Sequence, residues 1–229
     1  EKMSNEDRTK PIKALETAAD VEELEALKAR ISPDGAGTGS VFMDLYSNVA
    51  RDYIIASGAT AKDFARISVK QRHAGALNPI AQFRAEVDIE EVLTSRMIAD
   101  PITLMMCSSI GDGAAALVVM SETAAARRNI QPVQILACEI RSGQGDDPDA
   151  LPVATAASRN AFETAGLGPE DLSVVELHDA AAPAELILSE QLGFCAPGEA
   201  VSLLYSGRTA LGGAMPINPS GGLISKGHP

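Results

Sequence analysis

Tryptophan is absent from this 229-residue chain, and only 3% of its residues are aromatic. A core without large rings must close with small and branched aliphatic side chains. Alanine is accordingly abundant, 37 residues by count. Cations are also scarce: 19 Lys and Arg stand against 31 Asp and Glu, giving a net charge of −12. That balance argues against non-specific binding to nucleic acid or anionic membrane, which requires clustered positive charge. No apolar run approaches the roughly 20 residues of a membrane span, and the start carries no secretory pattern. Cysteine is limited to Cys107, Cys138 and Cys195, odd in number, widely spaced and without metal-site spacing. A reduced, cytoplasmic chain without a disulfide framework or a metal site is the expectation.

What is present fits a globular protein of one or two domains, 45% apolar and 22% charged. Residues 1–39 are polar and charge-dense, with a weak helical period between Lys13 and Arg30, and are expected to form a connector or surface helix. From Ser40 to Ser57, Val41, Leu45, Val49 and Ile54, with Phe42 and Tyr46 beside them, fall on one helical face, and Gly58 is placed to end it. Thr60 and Asp63 form a capping box for a helix to about Arg72, and Asp88–Ser95 reads as a third helix.

The pattern changes after Asp100-Pro101. Ala114–Met120, Val133–Ile140 and Leu172–Leu177 read as strands, interleaved with helices Glu122–Arg128, Pro152–Ala165 and Ala182–Leu192. That alternation predicts a layered α/β domain. No short-period repeat or low-complexity tract interrupts it.

Few residues are equipped for chemistry. His178 follows Val174-Val175-Glu176-Leu177, at the carboxyl end of an expected strand, where α/β proteins commonly bind ligands. The same pair, His178-Asp179, also suits an ordinary helix start with Asp179 as cap. His228 closes a glycine-rich stretch, Asn218-Pro219-Ser220-Gly221-Gly222 to Gly227-His228-Pro229, whose backbone must turn tightly. A histidine placed by the main chain suits a general base, although an incidental loop histidine fits the pattern too. His73 sits in the basic run Lys70-Gln71-Arg72-His73, which reads as a solvated helix end or as a phosphate contact. Asp112-Gly113 reads as a turn before a strand. Free cysteine is commonly buried, and none of the three is assigned as a nucleophile.

These pieces, in order, resemble the C-terminal part of a thiolase of the sterol-carrier-protein (lipid-transfer-protein) type. The resemblance rests on Glu1-Lys2-Met3-Ser4, Asn78-Pro79-Ile80-Ala81-Gln82-Phe83, Asp112-Gly113-Ala114-Ala115-Ala116, Glu176-Leu177-His178-Asp179, Asn218-Pro219-Ser220-Gly221-Gly222 and Gly227-His228-Pro229. It implies an incomplete thiolase-like layered α/β fold, mainly its second half, with a helical loop domain covering coenzyme A at 40–100. Residues 101–229 are then a C-terminal domain cut short at its end.

The resemblance also implies acyl transfer on coenzyme A thioesters, either 3-ketoacyl-CoA thiolysis or the reverse Claisen condensation. His228 would be the base, and His178 would shape an oxyanion hole. Asn218, Ser220, Gly221 and Gly222 would contact CoA, which is a substrate and not a resident cofactor. The nucleophilic cysteine is expected before Glu1 and a second one after Pro229, so this chain alone is expected to be inactive. Ala180-Ala181 depart from the family's Cys-Phe at the same place. Alternatives are a retro-aldolase acting on CoA thioesters with an OB-fold partner, and a non-catalytic acyl-CoA-binding subunit. A homodimer or homotetramer is expected of the complete protein.

Overall fold

The computed structural model describes residues 41–142 and 151–229. The connector expected over 1–39 lies outside the described residues. The elements are α1 (Val41–Ser57), α2 (Ala61–Leu77), α3 (Ile89–Thr94), β1 (Met97–Ala99), β2 (Ile102–Thr103), α4 (Glu122–Arg127), α5 (Val153–Ala165), α6 (Pro183–Gln191), α7 (Ala200–Tyr205) and α8 (Gly222–Lys226). Helix starts follow their capping chemistry. Asp63 accepts from the Thr60 backbone N–H at 2.8 Å, and Asp88 and Glu91 close the reciprocal box on α3. Ser121 accepts from Ala124 N at the head of α4. Gly166 ends α5 in the left-handed conformation.

The main core sits around α2. Phe64 and Ile67 are wholly buried with Val92, Ile102, Met106, Ala181, Ala182, Leu186, Leu204 and Ile224. Each large side chain of this kind contributes about 1.5–3 kcal/mol through burial. A smaller cluster joins Phe194, Leu203, Met215 and Ile217. Helix α1 turns only part of its predicted apolar face inward: Tyr46 and Ile54 pack on the core. Ser47, Ala50 and Tyr53 are buried, while Phe42, Leu45 and Val49 are exposed. Polar anchors decide this: Tyr53 Oη donates to Glu190 Oε1 at 2.6 Å, fixing the rotation of α1 against the end of α6.

The strand expectations need correction. Among the described residues the only sheet is the antiparallel hairpin β1–β2. Ala114–Met120 and Val133–Ile140 are not strands of any ladder, and Val118 and Val133 are 84% and 96% exposed. Their apolar runs suit a strand covered on both faces, but a ladder requires a neighbour, and none of the described segments pairs with them. Leu172–Leu177 is also mostly unladdered, with a single parallel bridge from Val175 to Ile217. The expected helices over 122–128, 152–165 and 182–192 do form, as α4, α5 and α6. No helix among the described residues is long and apolar enough to cross a membrane.

Candidate functional site

The site is built on a backbone spine, residues 106–111, that runs extended from Cys107 after a short 3-10 turn (Leu104–Met106) and that the sequence reading left without a role. On one side the spine receives Ala182 N at Met106 O (2.8 Å) and gives Ser108 N to Ala180 O (2.9 Å). On the other, His228 N donates to Ser109 O (2.6 Å) and Gly111 N donates to His228 O (3.1 Å). The chain just after His178 and the chain at His228 are therefore held to one backbone. Backbone groups fixed this way leave little freedom to the side chains they carry. Gln82 adds a side-chain strut, accepting from Ser109 Oγ at 2.7 Å and lying against Gly227.

The two imidazoles meet. His178 Nε2 and His228 Nε2 are 3.0 Å apart, with ring centroids at 5.0 Å and planes at 83°. One ring must donate and the other accept, so the contact holds one proton between two nitrogens and cannot form when both rings are protonated. His178 is exposed and His228 half-buried, leaving the pair open to a substrate. His228 Nδ1 also lies 3.2 Å from Pro229 O.

Below the pair lies a buried polar layer. Asp179 is fully buried, and its Oδ1 accepts from Leu223 N at 2.6 Å. Burial pushes its carboxyl up to about 7, against the lowering pull of the Leu223 amide, with the Glu185 charge adding to the rise. Gly222, at φ +59°, presses so closely that a Cβ there would overlap Asp179 Oδ2. Glu185 is buried too, paired with Lys70 Nζ and accepting from Gln71 Nε2 at 2.7 Å. Lys70 reaches on to the carbonyls of Thr209 (3.4 Å) and Ile217 (3.5 Å), so it ties α2 to the loop that leads into the site.

The residues expected to contact CoA also make hydrogen bonds within the chain. Asn218, at φ +53° and fully buried, accepts from Leu177 N through Oδ1 (2.7 Å) and donates its own N–H to Val175 O (2.7 Å). Ser220 gives both its N–H (3.0 Å) and its hydroxyl (2.8 Å) to the Glu176 carboxylate, which Lys226 approaches at 3.6 Å. Gly221 and Gly222 are buried against Gly75 and Asp179. The basic run around His73 does not converge. Lys70 is taken by Glu185, the Arg72 guanidinium lies 4.3 Å from the Phe83 ring centroid, and His73 Nδ1 meets Glu86 Oε1 at 2.7 Å.

Burial pushes the Cys107 and Cys195 thiols up to about 11, away from nucleophilic thiolate, while Cys138 is exposed. Ala180 and Ala181, where the family motif continues Cys-Phe, are buried against the spine. Among the described residues no group of three or more His, Cys, Asp or Glu is disposed to hold a metal ion. A cleft of 1160 Å³ opens between α5 and the end of α6, lined by Arg159, Phe162, Pro169, Glu190 and Gln191 among others. Its walls include neither His178 nor His228.

The fold is thiolase-like. Residues 141–229 match the family model described as thiolase C-terminal domain-like. It is 40% identical to benzoylsuccinyl-CoA thiolase subunit BbsB of Thauera aromatica, covering 83% of this chain and 51% of the relative. It is 36% identical to acetyl-CoA acetyltransferase of Methanothermobacter thermautotrophicus (100% and 58%) and 35% identical to sterol carrier protein 2 of Bos taurus (89% and 39%). Among solved structures it resembles the Ltp2-ChsH2(DUF35) aldolase, with a TM-score of 0.75 at 29% identity, over 89% of this chain and 55% of that one. The chain spans about half the length of the curated relatives it matches.

Proposed function

We propose that the complete protein is a thiolase-type acyltransferase on coenzyme A thioesters, with His228 and His178 at its reacting centre. The observation that carries this reading is the 3.0 Å approach of the two ring nitrogens from segments 50 residues apart. His228, fixed by its backbone to Ser109 and Gly111, takes the proton from the attacking thiol. The substrate carbonyl oxygen inserts where the rings now bond each other, and imidazole N–H groups stabilise the charge that develops there. With the Cys107 and Cys195 thiols held high, the nucleophile is a cysteine other than these. Thiolysis of a 3-ketoacyl-CoA, or its reverse, is the reaction, with CoA as co-substrate and a cytoplasmic oligomer as its setting.

A second reading, retro-aldol cleavage of a CoA thioester with an OB-fold partner, has a specific support. The similar solved structure is named an aldolase, and an aldol cleavage needs a base and an oxyanion site but no thiolate. A kinetic comparison in the complete protein decides. Under the thiolase reading, wild type forms acetyl-CoA from a 3-ketoacyl-CoA and CoA, and His228→Ala lowers that rate by about 10²–10⁴-fold. His178→Ala lowers it less. Near-normal turnover by His228→Ala rejects the base assignment, and cleavage independent of free CoA selects the aldolase.

A further inference from the structure

We propose that Asp179 is a positioning residue that sets His178 against His228, through a buried polar clamp it shares with Asn218. The inference rests on the reading of the histidine pair as the reacting centre. Two side chains cross between the two segments that carry the histidines. Asp179, next to His178, reaches to the amide of Leu223 at the head of α8 (2.6 Å). Asn218, ahead of α8, reaches back to the amide of Leu177, next to His178 on its other side (2.7 Å). The crossing is reinforced by Asn218 N to Val175 O.

Helix α8 is a single short turn, and His228 follows its last residue, Lys226, by two positions. Whatever fixes the head of α8 therefore fixes the approach of His228. Gly222 closes on the Asp179 carboxylate without room for a side chain, so the carboxylate is wedged as well as hydrogen-bonded. Asp179 is fully buried and cannot meet substrate. Its influence must pass through Leu223 and the α8 turn. Asp179 Oδ2 and Asn218 Nδ2 are both buried, and the Asn218 amide is near enough to the Asp179 carboxyl to pull against its rise, so the two side chains form one polar layer.

The test reads the ring contact itself. In ¹⁵N-labelled protein, wild type is expected to show a through-hydrogen-bond coupling between His178 Nε2 and His228 Nε2. Asp179→Ala abolishes it while circular dichroism shows the helices intact, and Asp179→Asn, which keeps an acceptor for Leu223 N, restores it. Asn218→Gly, which suits the positive φ, carries the same expectation from the other side of the clamp and serves if Asp179→Ala does not fold. A folded Asp179→Ala or Asn218→Gly protein with the coupling intact overturns the proposal, since a purely structural carboxylate would lower stability and leave the pair in place. Absence of the coupling in wild type overturns it as well. If the variants behave as expected but His228→Ala in the complete protein turns over normally, the positioning role stands and the acyltransfer reading fails.

Discussion

Replacing Lys70 with Met should be among the most damaging single changes outside the histidine pair. Glu185 is fully buried, and its carboxylate has two side-chain partners, Lys70 Nζ and Gln71 Nε2. Met fills most of the lysine's volume, so packing is nearly conserved, but the carboxylate loses the countercharge it has among the described residues. Breaking a buried ion pair from one side costs about 3–5 kcal/mol, because the remaining charge stays desolvated. For a folded unit of this size that is a fall in Tm of roughly 6–20 °C, at about 2–4 °C per kcal/mol. Lys70→Met/Glu185→Leu, which removes both charges, should recover most of the loss, and a double-mutant cycle from urea titrations would give the coupling directly. Burial already holds the Glu185 carboxyl above its ordinary value. Lys70→Met should raise it further, so the variant loses less stability at pH 5 than at pH 8 as the lone carboxyl takes up a proton. A loss below about 1 kcal/mol, the range of solvated surface pairs, would refute the claim that this pair is buried and ties α2 to the site.

Asp179→Asn should change how stability depends on pH. The native carboxyl titrates at about 7 and an unfolded one near 3.8, so its stabilising contribution is complete below pH 3.8 and fades as pH rises to 7. Relative to wild type, the variant should gain about 2.5 kcal/mol between pH 5 and pH 7.5 in urea titrations, and parallel curves would contradict the shift. Gly75→Ala should destabilise despite alanine's better helix propensity. Its Cβ would stand 2.5 Å from Ser225 Cβ, and overpacking of that kind costs about 1–3 kcal/mol. Ser225→Gly should rescue it, and a neutral Gly75→Ala would show that α2 and α8 pack less closely. In iodoacetamide labelling at pH 7.5, exposed Cys138 should react first, with Cys107 and Cys195 slower by about tenfold or more. Equal rates, followed by peptide mass spectrometry, would contradict their burial.

Local chemistry was readable residue by residue. The Thr60–Asp63 pair and the helix from Asp88 act within four residues, and each forms where its residue types place it. The two histidines were singled out on local context, and they do lie side by side, although the strand expected before His178 forms only a single bridge. Non-local features were hidden. The rotation of α1 depends on Tyr53 finding Glu190, 137 residues away, and no spacing rule foresees that. Ala114–Met120 and Val133–Ile140 have strand composition, but a strand exists only with a partner, which composition does not supply. The 106–111 spine, Met106-Cys107-Ser108-Ser109-Ile110-Gly111, has neither strand alternation nor a helical period to mark it. The contacts of Asn218 and Ser220 likewise depend on Leu177 and Glu176 arriving from more than 40 residues away.

The most direct measurement is a crystal structure of the complete protein with a non-cleavable acyl-CoA analogue. The carbonyl oxygen at the scissile position should lie about 2.7–3.1 Å from Nε2 of both His178 and His228, in place of the bond the rings now make to each other. An analogue bound with that oxygen turned away from both rings, their mutual contact undisturbed, would contradict the account.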